Sequence, residues 1–125
     1  MAKQQFDRKS ADFYSARLLY IILVDTGVEK KRNYYDESVR VFRARNSEEA
    51  FSRALTLGQE AETDYLNDQG QRVRWALVKI LNIDWIGKII DGKEVASCLH
   101  YRTTQKAISP KAKFRPEKSK PTESL

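Results

Sequence analysis

The sequence predicts an α+β fold: a four-stranded antiparallel sheet with one helix packed on one face, in the order β-β-α-β-β. Hydrophobic residues alternate with a period of two in four stretches, and a stretch between the second and third has the 3.6-residue period of a helix. With 125 residues, 41% of them hydrophobic and 32% charged, the chain can build one globular core. We expect a single domain over residues 13–102, a flexible N-terminal arm over 1–12, and a disordered basic tail over 103–125.

The first two strands are expected at residues 13–24 and 34–45. The first, FYSARLLYIILV, has one apolar row throughout and a second row that becomes apolar halfway, which is typical of a central strand. The second strand is apolar at Val39 and Val41 in one phase, then at Phe42 in the other. This change of phase predicts a β-bulge near Val41 and Phe42. Burial of both faces at that point is the alternative.

The helix is expected within residues 46–66. Asn46 or Ser47 can cap its start, and Glu49 lies three residues after Asn46, as in a capping box. A glycine inside a helix costs about 1 kcal/mol relative to alanine, but it lets the helix lie close to a sheet. The residues that recur at helical spacing are Ala50, Ala54, Leu57 or Gly58, Ala61 and Tyr65.

The third strand, residues 71–86, reads QRVRWALVKILNIDWI, and the fourth is expected at residues 95–102, VASCLHYR. Lys79 interrupts the apolar row of the third strand, so it must reach solvent or lie where the sheet edge opens. One helix cannot cover both faces of four strands, and we expect a homodimer to bury the remaining apolar surface. The residues expected to face the helix or a second subunit are Trp75, Leu77, Leu81 and Ile83.

The net charge of +6 belongs mostly to the C-terminal tail. Residues 13–101 carry 13 basic and 13 acidic side chains, whereas residues 102–125 carry seven basic and two acidic ones. A cationic tail with one aromatic residue could bind nucleic acid without sequence specificity, although a solvated tail is the alternative. The candidate nucleic-acid residues are Lys106, Lys111, Lys113, Phe114, Arg115, Lys118 and Lys120.

Four segments of the body, in order, carry a family resemblance: YSARLLY, YYDESVRVFRARNSEEAFSRALTLGQE, YLNDQGQRVRWALVKILNI and DGKEVASCL. From Tyr14 to about Tyr101 the chain resembles a bacterial family catalogued as domain of unknown function 4288. The resemblance supports the expected fold and implies no activity, and the tail lies outside it.

The sequence does not favour an enzyme, a metal site or a cofactor. Cys98 and His100 would share a face of a strand, but no third group is evident to orient them as a catalytic pair. The five glycines are isolated, so no phosphate-binding loop is expected. One cysteine excludes an internal disulfide, and neither a secretory signal nor an apolar run of about 20 residues occurs. We expect a cytoplasmic protein that does not enter membranes.

The ends of the expected strands suggest a polar and aromatic binding patch. If the sheet brings these ends together, the patch would comprise Tyr35, Glu37, Trp75, Trp85 and Glu94. The alternative is that Glu37 and Glu94 only form cross-strand pairs with Arg72 or Arg74. The function that we expect is a small interaction module with a protein partner, and analogy suggests an accessory, regulatory or toxin-inhibitor-like role. A nucleic-acid-binding protein that uses the tail is the alternative.

Overall fold

The computed structural model describes residues 11–122 and confirms the expected α+β fold. Its elements are β1 (Asp12–Val24), β2 (Tyr34–Ala44), α1 (Ser47–Glu60), β3 (Thr63–Leu66) and β4 (Arg72–Gly87), with a 3-10 turn at Pro116–Lys118. The strands form one antiparallel sheet in the order β2-β1-β4-β3, and α1 packs on one face. The first strand is central, as expected. Residues 1–10 of the predicted arm and residues 123–125 of the predicted tail lie outside the described residues.

The core lies between α1 and the helix-facing row of β1. Alternate residues of β1 are buried because they point at the helix, where alanine side chains leave room for them. Trp75 and other half-buried residues of β4 complete the layer. The buried core residues of this layer are Tyr14, Ala16, Leu18, Tyr20, Phe42, Ala44, Ala50 and Ala54.

β2 pairs with β1 in unbroken register, so the bulge expected near Val41 and Phe42 is wrong. The alternative, burial of both faces, is also wrong, because Phe42 is buried under the helix while Val41 is 44% exposed on the opposite face. The apparent change of phase therefore reflects apolar residues on an exposed face. Alternation alone does not distinguish such a face from a core face.

β4 is the irregular strand, because its register with β1 shifts at three points. An extra residue moves the side chains that follow it to the other face of the sheet. The helix-facing row of β4 therefore changes phase along its length. The residues of β4 that are left without a partner in β1 at these points are Val78, Leu81 and Ile86.

The bulges correct the expected orientation of β4. Leu77, Ile80 and Ile83 pack against the core, so Ile80 takes the place that the strict alternation gave to Leu81. Leu81 is 37% exposed instead. Lys79 lies opposite Leu19 and is exposed, because the extra residue before it turns it away from the helix. The lysine that interrupted the apolar row is therefore not in the core.

The fourth strand is β3, and its expected position at residues 95–102 is wrong. β3 lies within residues expected to be helical, and it forms a hairpin with β4. Asn67 makes the turn, since its Oδ1 accepts hydrogen bonds from the backbone N–H groups of Gln69 and Gln71, both at 2.9 Å. Gly70 supplies the positive φ of 75°. The sequence NDQGQ, which we took as the end of the helix, is therefore a hairpin turn.

The C-terminal end of α1 is fixed to the sheet by Tyr20. The hydroxyl of Tyr20 donates a buried 2.8 Å hydrogen bond to the carbonyl of Gly58. The backbone N–H of Glu62 donates to Gln59 rather than to Gly58, so the tyrosine supplies a partner for a carbonyl at the helix end. Burial raises the pKa of Tyr20. A tyrosine on the sheet thus sets where the helix crosses it.

Asn46, one of the two expected candidates, is the N-cap of α1. Its Oδ1 accepts a 2.9 Å hydrogen bond from the backbone N–H of Glu49, while the Glu49 carboxylate reaches back to the backbone N–H of Arg45 at 2.8 Å. The arrangement differs from a standard capping box by one residue, because the carboxylate bonds the residue before the cap.

We expect Asn46→Ala to lower the free energy of unfolding by about 1 kcal/mol, because it leaves a backbone donor of the first turn without its acceptor. Chemical denaturation followed by circular dichroism measures this change. Asn46→Asp is the matched control, since aspartate keeps an acceptor at the cap. An equal loss in both variants would contradict the assignment.

Two carboxylates make stability depend on pH. A backbone hydrogen bond from Arg45 lowers the pKa of Glu49, and a side-chain hydrogen bond from Arg72 lowers the pKa of Asp64. A lowered pKa in the folded state contributes stability above the ordinary pKa, and this contribution disappears as the pH falls through the folded value. We expect the wild type to lose stability below about pH 4.5. Glu49→Gln and Asp64→Asn should each flatten that decline when melting temperature is measured against pH.

Candidate functional site

The sheet has one face without a helix among residues 11–122, which we call the open face. Because side chains alternate along a strand, the odd-numbered residues of β2 and β1 lie on this face, opposite the buried even-numbered row. From β2 and β1 the open face comprises Phe13, Ser15, Arg17, Leu19, Ile21, Leu23, Tyr35, Glu37, Val39, Val41 and Arg43.

The middle of the open face is apolar. Val39 and Val41 are 42% and 44% exposed, and Tyr35 is 55% exposed. Leu19 and Ile21 of the central strand lie beside them and are half-buried. Contiguous exposed apolar side chains of this kind often mark a surface that binds another molecule. The open face therefore has the composition of a docking surface.

Arg17 lies in the middle of this apolar surface, between Val39 of β2 and Asn82 of β4. Its side chain is only 22% exposed, and its Nη1 is 3.7 Å from a carboxylate oxygen of Glu37. Its Nε is buried and has no hydrogen-bond acceptor among the described residues. A buried donor without an acceptor costs about 1–3 kcal/mol, so an acceptor brought by another molecule would relieve this cost.

The segment that contains Val95 covers one end of the open face. Ser15 is buried there, and its hydroxyl donates a hydrogen bond to the carbonyl of Val95. Ile86 is buried in the same region. Beyond this point the chain leaves the body, and Leu99 and Tyr101 are completely exposed. The cover thus protects the first residues of β1 and leaves Val39 uncovered.

The structure divides the five residues of the expected patch among three places. Tyr35 and Glu37 lie on the open face, whereas Trp75 is half-buried on the opposite, helix-covered face. Trp85 and Glu94 line a separate cleft of about 450 Å³ at the end of β4. The indole Nε1 of Trp85 donates a 3.2 Å hydrogen bond to Asp12. The five residues therefore do not form one patch, and the binding role of each stays a prediction.

The expected cross-strand ion pairs also differ. Glu37 approaches Arg17, as described above, and Arg72 pairs with Asp64 at 2.6 Å. Glu94 is exposed at the cleft beside Trp85. Among residues 11–122, Glu37 and Glu94 therefore do not form the expected ion pairs with Arg72 or Arg74.

The tail is exposed along its described length. The segment 97–122 contains no strand or α-helix, and its 3-10 turn at Pro116–Lys118 is adjacent to an Arg115–Glu117 ion pair of 2.7 Å. Every candidate nucleic-acid residue of the tail is exposed, including Phe114 at 70%. The candidate cations therefore face solvent rather than the body.

The residue pair that was considered for catalysis lies in the exposed segment after residue 97. Cys98 and His100 are exposed and lie outside any strand. Within residues 11–122, no group of three or more His, Cys, Asp or Glu side chains could hold a metal ion. A cleft of about 760 Å³ lies between the loop of residues 25–33 and the start of β4, where Lys30 and Arg74 are mixed with Asp25 and Glu29. Charges of both signs at this open cleft point to no particular ligand class.

Sequence reasoning missed Arg17. In the sequence Arg17 is one of the polar residues that precede the apolar half of its row, Leu19, Ile21 and Leu23, and this position alone does not mark it as a site residue. Only the register shows that its neighbours across the strands include Val39, which makes it the centre of an apolar surface. Val39 and Val41 were noticed only as the sign of a bulge.

A family model described as domain of unknown function (DUF4288) matches residues 13–97, and the chain belongs to this family. Neither a curated protein nor a solved structure matches the chain. No helix in the described part of the chain combines the length and the apolar character that crossing a membrane requires.

Proposed function

We propose that this member of the DUF4288 family is a protein-binding module whose open face docks a protein partner. The observation that carries the proposal is the uncovered apolar surface around Arg17, with Val39 and Val41 more than 40% exposed. The same module would act in the cytoplasm, where the exposed thiol of Cys98 remains reduced. A second copy of the chain is also an expected partner, at a surface other than the open face.

The chemistry of the open face suits a protein better than a small ligand. Binding sites for small ligands are concave, whereas the open face is one side of a sheet formed by long strands. Arginine and tyrosine, here Arg17 and Tyr35, are enriched among the residues that contribute most to protein interfaces. A partner that offers a carboxylate or carbonyl oxygen to the Arg17 Nε would supply its missing acceptor.

Quantitative affinity capture from cell extract tests this proposal. Wild-type protein and two variants, Val41→Lys on the open face and Val28→Lys in the loop after β1, are compared as baits. Val28 is 72% exposed and lies outside the open face, so its variant controls for the added charge. We expect some proteins to be retained by the wild type and Val28→Lys but at least tenfold less by Val41→Lys. Identical sets of retained proteins for all three baits would contradict the proposal.

A second candidate function is binding of nucleic acid by the tail, favoured by the exposure of its cations. Residues 102–125 carry a net charge of +5, so contact with phosphates would release counterions and make affinity fall steeply with salt. This binding would not depend on nucleotide sequence, because Lys and Arg side chains on a flexible tail contact phosphates rather than bases.

We expect deletion of residues 103–125 to abolish retention of single- and double-stranded DNA at low salt and to leave the melting temperature unchanged. The physical reason is that the tail carries the excess charge while its side chains up to residue 122 are exposed. Filter binding at increasing salt measures the first effect, and thermal denaturation measures the second. DNA retention that survives the deletion would show that the body holds the basic surface.

A further inference from the structure

We propose that two copies of this chain pair through the outer edge of β2, antiparallel and with Ser38 facing Ser38, so that their sheets join into one. This contact uses the strand edge rather than the open face, and it goes beyond the proposed function. The two strands would be related by a two-fold axis perpendicular to the sheet, which keeps both helices on the same side.

The two sides of the sheet are protected unequally. On the β4 side, the short β3 pairs with only the first residues of β4, and the three bulges distort the remainder. Moreover, a Glu62 carboxylate oxygen accepts a 2.8 Å hydrogen bond from the backbone N–H of Leu77. Bulges, short strands and side chains that occupy the backbone groups of an edge prevent another strand from pairing there.

β2 has none of these protections within the described structure. It is 11 residues long, contains no proline, and pairs with β1 without a register shift. On its outer side no strand pairs with it in the part of the chain that the structure describes. A long regular edge of this kind is a template for another strand.

The hydrogen-bonding pattern of β1 shows which way the backbone N–H and C=O groups of β2 point. The backbone N–H of Asp25 donates a hydrogen bond to the carbonyl of Arg72 in β4. Odd-numbered residues at this end of β1 therefore point their backbone N–H and C=O groups toward β4, and even-numbered residues point theirs toward β2. In the register of β1 and β2, even-numbered residues lie opposite even-numbered residues. The even-numbered residues of β2 therefore form the backbone hydrogen bonds to β1. Odd-numbered residues such as Val39 consequently present free N–H and C=O groups at the edge.

Charge selects the register of the pair. With the two-fold axis at Ser38, Asp36 of each copy lies opposite Arg40 of the other, and each of these side chains is without an ion pair among the described residues. An axis at Glu37 or at Arg40 would instead place like charges opposite each other, and an axis at Val39 would pair no opposite charges. Directly opposed charges of opposite sign stabilise a strand pair, whereas like charges destabilise it.

The other side chains also fit this register. Tyr35 would lie opposite Val41, an aromatic and β-branched pair of the kind that stabilises strand pairing. The two Ser38 residues would form a closely spaced pair at the axis. Ser38 is small and uncharged, so two copies of it can lie at the axis without a clash of charge. About eight backbone hydrogen bonds would join the copies, two for each of the pairs formed by residues 35, 37, 39 and 41.

Charge reversal tests the register. Light scattering after size-exclusion chromatography at about 100 μM protein should show a dimer for the wild type. Asp36→Arg and Arg40→Asp should each weaken dimerisation at least tenfold, because each places like charges opposite one another. The double variant should restore the dimer, since it exchanges the two signs. A monomeric wild type, or single reversals that leave the dimer intact, would overturn the proposal, as would a double variant that stays monomeric.

Val39→Pro tests the edge itself. Proline removes only a backbone N–H that points outward, so the variant should keep its circular dichroism spectrum and lose the dimer. Leu19→Lys is the open-face control, because Leu19 lies on the central strand β1 and takes no part in the β2 edge contact, so this variant should remain dimeric. A dimer that persists in a folded Val39→Pro variant would overturn edge pairing. A dimer lost in Leu19→Lys but kept in Val39→Pro would assign self-association to the open face instead.

Discussion

Replacing Gly58 by leucine is expected to destabilise the protein by about 3 kcal/mol, the upper part of the range for overpacked cores. A Cβ atom at this position would lie 2.9 Å from Cδ2 of Leu77 and 3.5 Å from Cδ1 of Leu18. The three further carbons of leucine would push the helix off the sheet and strain the hydrogen bond from Tyr20 to the Gly58 carbonyl. Urea denaturation followed by tryptophan fluorescence measures the loss.

Gly58→Ala is the graded control. Its one added carbon meets the mobile end of the Leu77 side chain, and alanine is favoured over glycine in a helix by about 1 kcal/mol. These effects oppose each other, so we expect a change within about 1 kcal/mol of zero. A leucine variant as stable as the alanine variant would show that the helix does not lie this close to the sheet.

Replacing Arg17 by methionine is expected to lower the affinity for the open-face partner at least 30-fold, the effect of losing about 2 kcal/mol of binding at a dominant interface residue. The same substitution should raise the free energy of unfolding by about 1 kcal/mol, because it removes a buried donor without an acceptor and keeps the apolar stem. Binding and stability would therefore change in opposite directions. Bio-layer interferometry with a captured partner and chemical denaturation measure the two effects.

Arg17→Lys is the matched control, since it keeps the charge but lacks the planar guanidinium. It should recover less than half of the lost binding free energy. A methionine variant that binds like the wild type would remove Arg17 from the interface. A methionine variant that is less stable than the wild type would show that the contact with Glu37 outweighs the missing acceptor.

The sequence predicted the order of the elements and the orientation of β1 because these depend on strong local periodicity. Tyr14, Ala16 and Leu18 are buried in one row, as the alternation required. The orientation of β4 could not be predicted, because its bulges arise from pairing with β1 rather than from any local signal. Lys79, which alternation placed in the apolar row, was expected to reach solvent or to lie where the sheet edge opens, and no bulge was predicted beside it.

The position of the fourth strand was also beyond local reasoning. Both Thr63–Leu66 and residues 95–102 have strand-like side chains, but only Thr63–Leu66 pairs with β4 in the described structure. The Asn67 turn favours this pairing, since a short hairpin closes with little loss of chain entropy. Residues 95–102, which include the fully exposed Leu99, consequently form no strand.

The candidate site depends on pairing between distant segments and was therefore predicted only in part. The uncovered apolar surface was expected from the shortage of helices, and Tyr35 and Glu37 were named in advance. Arg17 and Val39 are 22 residues apart in the sequence, and only the register of β1 and β2 brings them together. Trp85 and Glu94 were assigned to the same patch because the end of β4 was expected to continue into a paired strand.

Solvent accessibility of methyl groups in the full-length chain tests the central claim most directly. A soluble paramagnetic gadolinium chelate enhances the NMR relaxation of methyl groups according to their distance from solvent. The open face predicts enhancement for Val39 and Val41 that is below that of the loop residue Val28 but well above the weak enhancement of the core residues Leu18 and Val73. Protection of Val39 and Val41 to the level of Leu18 would show that the face is covered and would contradict the account.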